Sequence, residues 1–155
     1  MTCIIGVELL KDPIIHKARI KNSADTNSIC WIIWIKEPVV KVGVIYFTDI
    51  IPKISAVFHP VLDRAGYKRY VLFNKFMSKL NIIEDASNLC IKVAFDLLQL
   101  ERITGGYFEY NFNAINLCKK LGFVKEGLIR NGTKVNDIPT NIVILGLLRK
   151  EFNGQ

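Results

Sequence analysis

Residues 101–127, ERITGGYFEYNFNAINLCKKLGFVKEG, confine the fold more than any other part of the chain. Residues 103–110 are rich in aromatic and β-branched side chains and read as a strand. Asn111 and Asn113 are good helix starters, because a short side-chain oxygen can accept from the open N–H groups of a first turn. Ala114, Leu117, Cys118 and Leu121 follow at i, i+3, i+4 and i+7, one apolar helical face. Lys119 and Lys120 fall in the last turn, where cations suit the helix dipole. Gly122 ends the helix, and Phe123 and Val124 open a second strand. A strand, a short helix and a strand in such close order call for a sheet with a helix packed on it.

The chain has 155 residues, half of them hydrophobic, so one domain over 1–155 with a packed core is expected. No apolar run reaches the roughly eighteen residues of a membrane span. The start, MTCIIGVELLKD, lacks a basic opening and a small-residue cleavage site, and is not read as a signal peptide. Residues 4–10 can form a short strand, Asp12-Pro13 breaks it, and 22–27 form a polar turn cluster. The β-rich runs 28–35 and 39–47 flank Glu37-Pro38 as a hairpin, followed by a turn over 48–52. Residues 54–62 alternate like a strand, yet Pro60 lacks the N–H that a central strand uses. Residues 63–68 read as a turn, 69–73 as a short strand and 74–80 as a loop. The clearest helix is 84–100, with Ala86, Leu89, Cys90, Val93, Leu97 and Leu98 on one face. Strands at 123–130 and 142–152 then flank a polar turn, 131–140. The predicted class is α/β or α+β, a mixed sheet flanked by helices.

The net charge is +7, spread along the chain without a nucleic-acid motif, which excludes nucleic acid as the expected partner and suits either solubility or a phosphate-bearing ligand. Cys3, Cys30, Cys90 and Cys118 form no C-x-x-C pair and read as thiols of a reducing, cytoplasmic setting. His16 and His59 have no ligand spacing, so no metal is expected.

The string Asn111, Ala114, Ile115, Leu117, Lys120, Leu121, Gly122, Phe123, Glu126, Gly127 resembles the C-terminal acetyl-CoA motif of the GNAT N-acetyltransferases. With the element order, the resemblance covers roughly 39–152. It implies a mostly antiparallel central sheet with a splayed strand pair, flanked by helices, and acetyl-CoA as donor. Residues 42–50, GVIYFTDI within them, and the ending 146–152, GLLRKEF, with Asp137 before it, are similar to one branch of that family. That branch acetylates the 4-amino group of a UDP-linked dideoxy aminosugar (UDP-4-amino-4,6-dideoxy-N-acetyl-altrosamine) in pseudaminic acid biosynthesis. A ribosomal-protein acetyltransferase branch shares much of the pattern, so a protein or peptide amine is the alternative acceptor. A GNAT-shaped binding protein with weak or no catalysis is a third reading. Assembly is left open, a homodimer being one form.

The resemblance also implies a site. The pantetheine arm would lie along backbone near Gly105, Gly106 and Tyr107, with Asn111, Asn113 and Lys119 on the donor side. The diphosphate would meet a helix head at Asn81, Ile82 and Ile83. Cys118 holds the family's acid position, His59 would take the amine proton, and Tyr46, Thr48 and Asp49 would contact the acceptor. Each has a plainer role to weigh: Cys118 as core filler, His59 as a structural histidine, Asn111 as an N-cap, Thr48-Asp49 as a turn, Gly105-Gly106 as a bulge. The chain departs from the family in three places. The R/Q-x-x-G-x-G/A loop glycines are absent both at 80–83 and near Arg69 and Val71, Cys118 stands where Tyr or His is usual, and the N-terminal part, 1–28, is short and lacks W-R-N.

Overall fold

The computed structural model describes residues 5–9, 28–36, 39–62 and 82–152. Its elements are β1 (Ile5–Leu9), β2 (Ile29–Lys36), β3 (Val39–Ile51), β4 (Ser55–Leu62), α1 (Ile82–Leu97), β5 (Arg102–Phe108), α2 (Phe112–Lys120), β6 (Val124–Val135) and β7 (Ile138–Leu148), then a 3-10 turn, Arg149–Glu151. The readings at 12–13, 22–27, 37–38 and 63–80 lie outside the described residues.

The strands form one seven-stranded sheet in the order β1-β2-β3-β4-β5-β7-β6. Every neighbouring pair is antiparallel except β4 and β5, which run parallel. β1 to β4 form a meander. The chain then crosses through α1 to β5, and through α2 to β6, before β7 folds back between β5 and β6. Both crossovers step the same way along the sheet, and the right-handed preference of such connections puts both helices on one face. In agreement, Lys120 of α2 reaches Glu84 of α1 at 3.3 Å.

That face holds the core. Ile45, Phe47, Ala56, Phe58, Ile103, Tyr107, Val143, Leu145 and Leu147 share it by strand alternation and register. Phe58 packs between Phe47, at 5.5 Å between ring centres, and Phe123, at 5.8 Å. Ala86, Cys90, Ile91, Ala94 and Phe95 of α1 and Ile115 and Cys118 of α2 close over it.

Four expectations are corrected. The buried stripe of α1 is rotated: Leu89 and Leu97 are exposed, and Ile91, Ala94 and Phe95 take the core side. The 48–52 turn is a continuation of β3 with a bulge after Thr48, where Asp49 adopts a left-handed φ of 50°; a short polar side chain tolerates this better than a branched one. The polar loop 131–140 is largely strand, turning only at Asn136 and Asp137, both at positive φ, as a two-residue hairpin turn requires. Gly105-Gly106 is no bulge, since β5 pairs with β7 in unbroken register.

Pro60 is explained by where β4 loses its neighbour. Pairing of β4 with β5 covers only Ser55, Ala56 and Val57 against Arg102, Ile103 and Thr104. Beyond that point 58–62 and 105–108 run on without pairing each other. Phe58 turns its carbonyl toward β5, and backbone alternation turns Pro60 the same way. The donor that proline lacks would have faced this opening rather than β3.

Candidate functional site

The divergence of β4 and β5 makes a V in the middle of the sheet, with its vertex just past Val57 and Thr104. On the helix-bearing face, Tyr107 fills the vertex. Its ring folds back along β5 over Gly105, where an added Cβ would stand 2.7 Å from Cε2 and 3.0 Å from the hydroxyl. The Tyr107 hydroxyl donates to the Phe58 carbonyl across the V at 3.1 Å. Behind it, the fully buried Cys118 thiol of α2 donates to the same hydroxyl at 3.3 Å. Burial pushes the Cys118 thiol up to about 11, with the Tyr107 hydrogen bond opposing part of the rise. Burial also raises Tyr107 well above the ordinary phenol range, and the neighbouring thiol adds to it. Both groups therefore carry their protons at neutral pH.

The opposite face of the same strands carries a second cluster. His59 stacks on Tyr46 with ring centres 4.6 Å apart. The Thr48 hydroxyl donates to the Asp49 carboxylate at 3.0 Å and lies 3.0 Å from His59 Nε2. With the threonine proton spent on Asp49, Nε2 is the donor in that contact. Tyr46 and His59 are direct cross-strand partners, which brings residues thirteen positions apart in sequence into stacking contact. The two residues expected to do acid and base chemistry, Cys118 and His59, thus lie on opposite faces of the sheet, either side of the V.

The expected donor-side residues separate by structure. Gly105 is buried beneath Tyr107, whereas Gly106 is exposed and an added Cβ there would make ordinary contacts with Ile142 and Ile144 at 3.6 and 3.7 Å. Ile82 begins α1, and Ile83 turns partly into the core. Asn81 lies outside the described residues. Asn111 caps α2, its side chain accepting from Ala114 N–H at 3.3 Å. Asn113 and Lys119 are exposed on α2. Sequence reasoning placed Tyr107 only along the arm and missed its contact with Phe58 and Cys118. The signal was the glycine two residues before an inward-facing tyrosine. Among the described residues no group of three or more His, Cys, Asp or Glu gathers as for a metal, and no helix is long and apolar enough to cross a membrane.

No protein-family model matches the sequence. Among the curated relatives that do match are two of Bacillus subtilis strain 168. "Probable N-acetyltransferase YjcK" is 31% identical over 70 residues, 45% of this chain and 39% of that protein. "Putative ribosomal N-acetyltransferase YdaF" is 27% identical over 116 residues, 75% of this chain and 63% of that protein. The chain thus spans less than two thirds of the length of either. Among solved structures, the spermidine/spermine N-acetyltransferase SpeG of Vibrio cholerae, in complex with manganese ions, superposes with a TM-score of 0.74 at 13% identity, over 96% of this chain and 94% of that one. A variant of the same spermidine N-acetyltransferase gives 0.70 at 16% identity, over 90% and 76%. The fold is that of the GNAT N-acetyltransferases, as the sheet order and the V between its parallel strands indicate.

Proposed function

We propose that this chain, built on the GNAT fold, is an acetyl-CoA-dependent N-acetyltransferase. The observation that carries the reading is the V between β4 and β5. An interrupted parallel pair in the centre of a sheet offers backbone groups to an extended ligand, much as a sheet edge accepts an added strand. A pantetheine arm has amides with the spacing to use them. The open N–H groups at the start of α1 would then face the donor diphosphate. The excess of positive charge favours the same anionic donor.

The acceptor amine approaches from the other face, where Tyr46, Thr48, Asp49 and His59 gather. The amine attacks the thioester carbonyl and His59 takes its proton, with Thr48 and Asp49 fixing the ring. Backbone donors within the V hold the oxyanion. The first acceptor class is a nucleotide-linked aminosugar. A ring stacked beside a hydroxyl and a carboxylate suits a sugar, and a basic chain attracts the nucleotide phosphates. The second is a protein or peptide amine, favoured by the likeness to YdaF over 75% of the chain.

The test begins with the donor. Acetyl-CoA at about a hundred times its Kd should add about 2.7 kcal/mol to folding stability and raise the melting temperature. No shift at millimolar donor leaves a GNAT-shaped binding protein. With a shift in hand, thiol release with a UDP-aminosugar against a lysine or N-terminal peptide ranks the acceptors.

A further inference from the structure

We propose that the Tyr107 hydroxyl is the group that protonates the departing coenzyme thiolate, and that Cys118 is a positioning residue that aims it. The inference rests on the acetyl-transfer reading above and deepens it. The resemblance puts the acid at position 118, but the thiol there is wholly buried, and the phenol stands between it and the V. The hydroxyl that reaches the vertex comes from β5 instead of α2.

Three features build this arrangement. Gly105 leaves the space in which the ring lies, since any side chain there would collide with it. The Cys118 thiol donates to the phenol oxygen, so the single phenol proton is directed away from α2 and into the V. The Phe58 carbonyl holds that proton in the absence of ligand. This carbonyl belongs to the first residue of β4 beyond the paired segment, where an arm lying along β4 would seek an acceptor. An arm amide that takes the carbonyl releases the hydroxyl toward the thioester sulfur. Donor binding and release of the acid are thereby one exchange of hydrogen bonds. Burial keeps both thiol and phenol protonated across the neutral range, as a donor pair requires.

The step balances as follows. The amine nitrogen bonds to the carbonyl carbon, and its proton passes to His59 or water. The tetrahedral oxyanion collapses, the C–S bond breaks, and the thiolate takes the Tyr107 proton. The phenolate regains a proton from water as the coenzyme thiol leaves.

The experiment compares the unaltered chain with Tyr107→Phe, Cys118→Ser and Cys118→Ala. Acetyl-CoA affinity is measured by calorimetry, and kcat from thiol release with the best acceptor amine between pH 6 and 10. Tyr107→Phe should bind acetyl-CoA at least as tightly, because the Phe58 carbonyl is released, while kcat falls about a hundredfold. Cys118→Ser keeps a donor to the phenol and should stay within about threefold; Cys118→Ala should lose more in kcat with affinity unchanged. A Tyr107→Phe variant at full kcat overturns the assignment, as do parallel losses of kcat and affinity, which mark a packing role. Should Tyr107→Phe not fold, Cys118→Ala decides, an unchanged kcat overturning the positioning role. An unaltered chain that binds no acetyl-CoA overturns the acetyl-transfer reading itself, a result separate from bound donor with an indifferent Tyr107→Phe.

Discussion

Tyr107 lies flat over Gly105, so closely that a methyl group at 105 would stand 2.7 Å from its ring. The neighbouring Gly106 faces the other side of the sheet, with room for a methyl group against Ile142 and Ile144. The two adjacent glycines should therefore answer differently to the same change. Gly105→Ala displaces the Tyr107 ring from a packed site and is expected to cost about 1–3 kcal/mol. Gly106→Ala meets no clash and no positive φ, and should fall within about 1 kcal/mol of the unaltered chain, on the stabilising side. Urea unfolding of both variants checks this. Equal losses would mean that Tyr107 has an alternative rotamer and that Gly105 holds no place for it.

Cys118 makes a pH-dependent contribution of known sign. Its folded pKa, pushed up to about 11 by burial, lies above the ordinary thiol value of 9.0, so folding favours the protonated form. The stabilisation is fully present below the unfolded pKa and is lost as pH rises from about 9 toward 11, about 3 kcal/mol at most. Tyr107 acts in the same direction, at higher pH. Stability should thus decline above pH 9 in the unaltered chain and less steeply in Cys118→Ala. At pH 8 only about a thousandth of the folded Cys118 is thiolate. Peptide mapping after iodoacetamide should find it unmodified in the folded chain and modified in urea. Rapid labelling of folded Cys118 would contradict its burial.

Much of this was legible in residues 101–127. The asparagine cap, the helical face through Cys118 and the stop at Gly122 all depend on local chemistry, and each is where the sequence puts it. The antiparallel neighbours β2 and β3 and the helix from the 80s are local in the same sense. What could not be read depends on partners distant in sequence. The rotated stripe of α1 is decided by Phe95, which packs on Phe152, and a helix with apolar residues most of the way round leaves its core face to tertiary contacts. Pro60 looked wrong for a central strand because the end of pairing with β5, some forty residues on, is invisible locally. The acid position was read at Cys118 from the motif, while the hydroxyl that reaches the vertex belongs to the strand before it.

Glu126, part of the same motif, joins Arg102 in a paired contact, Nη1 to Oε1 at 2.8 Å and Nη2 to Oε2. The pair bridges β5 and β6 over Gly146 of β7, where an added Cβ would run into the Glu126 carboxylate and the Arg102 guanidinium. Arg102 holds Glu126 below the usual carboxylate range. Its contribution is present above the unfolded pKa, about 4.3, and disappears as pH falls through the folded one. Both side chains are about a third exposed, which limits the pair to about 1 kcal/mol or less. Glu126→Gln should therefore cost under about 1 kcal/mol at pH 7, and the difference should shrink in acid, as pH falls through the lowered folded pKa, and in high salt. Gly146→Ala meets only the far ends of these two partly exposed side chains, which can swing aside, and should cost no more than the pair itself, about 1 kcal/mol or less. A Glu126→Gln deficit that neither acid nor high salt reduces would show that the side chain acts by packing rather than charge.

The last residue of consequence for the donor site stands far from it. α1 has no basic residue in its final turn, although the carbonyls there are open and carry the negative end of the helix dipole. Arg149, at the end of β7, supplies the cation from across the sheet. Its guanidinium donates from Nη2 to the Phe95 carbonyl and from Nε to the Leu100 carbonyl at 2.8 Å, and lies 5.9 Å above the Phe95 ring. One planar fork thus ties the C-terminal end of α1 to the strand that pairs with β5. Arg149→Ala leaves two acceptors in a buried setting without their charged donor and should cost about 2–3 kcal/mol. Arg149→Lys keeps the charge but cannot serve both carbonyls, and should recover about half. Neither change touches the head of α1, so acetyl-CoA affinity measured well below the melting temperature should hold in both. Equal losses in the two variants would assign the effect to the planar fork and none of it to charge, whereas full recovery in Arg149→Lys would assign it to charge alone. A fall in donor affinity matching the fall in stability would show that the two ends of α1 are coupled, with the helix fixed in place by Arg149 before it can receive a diphosphate.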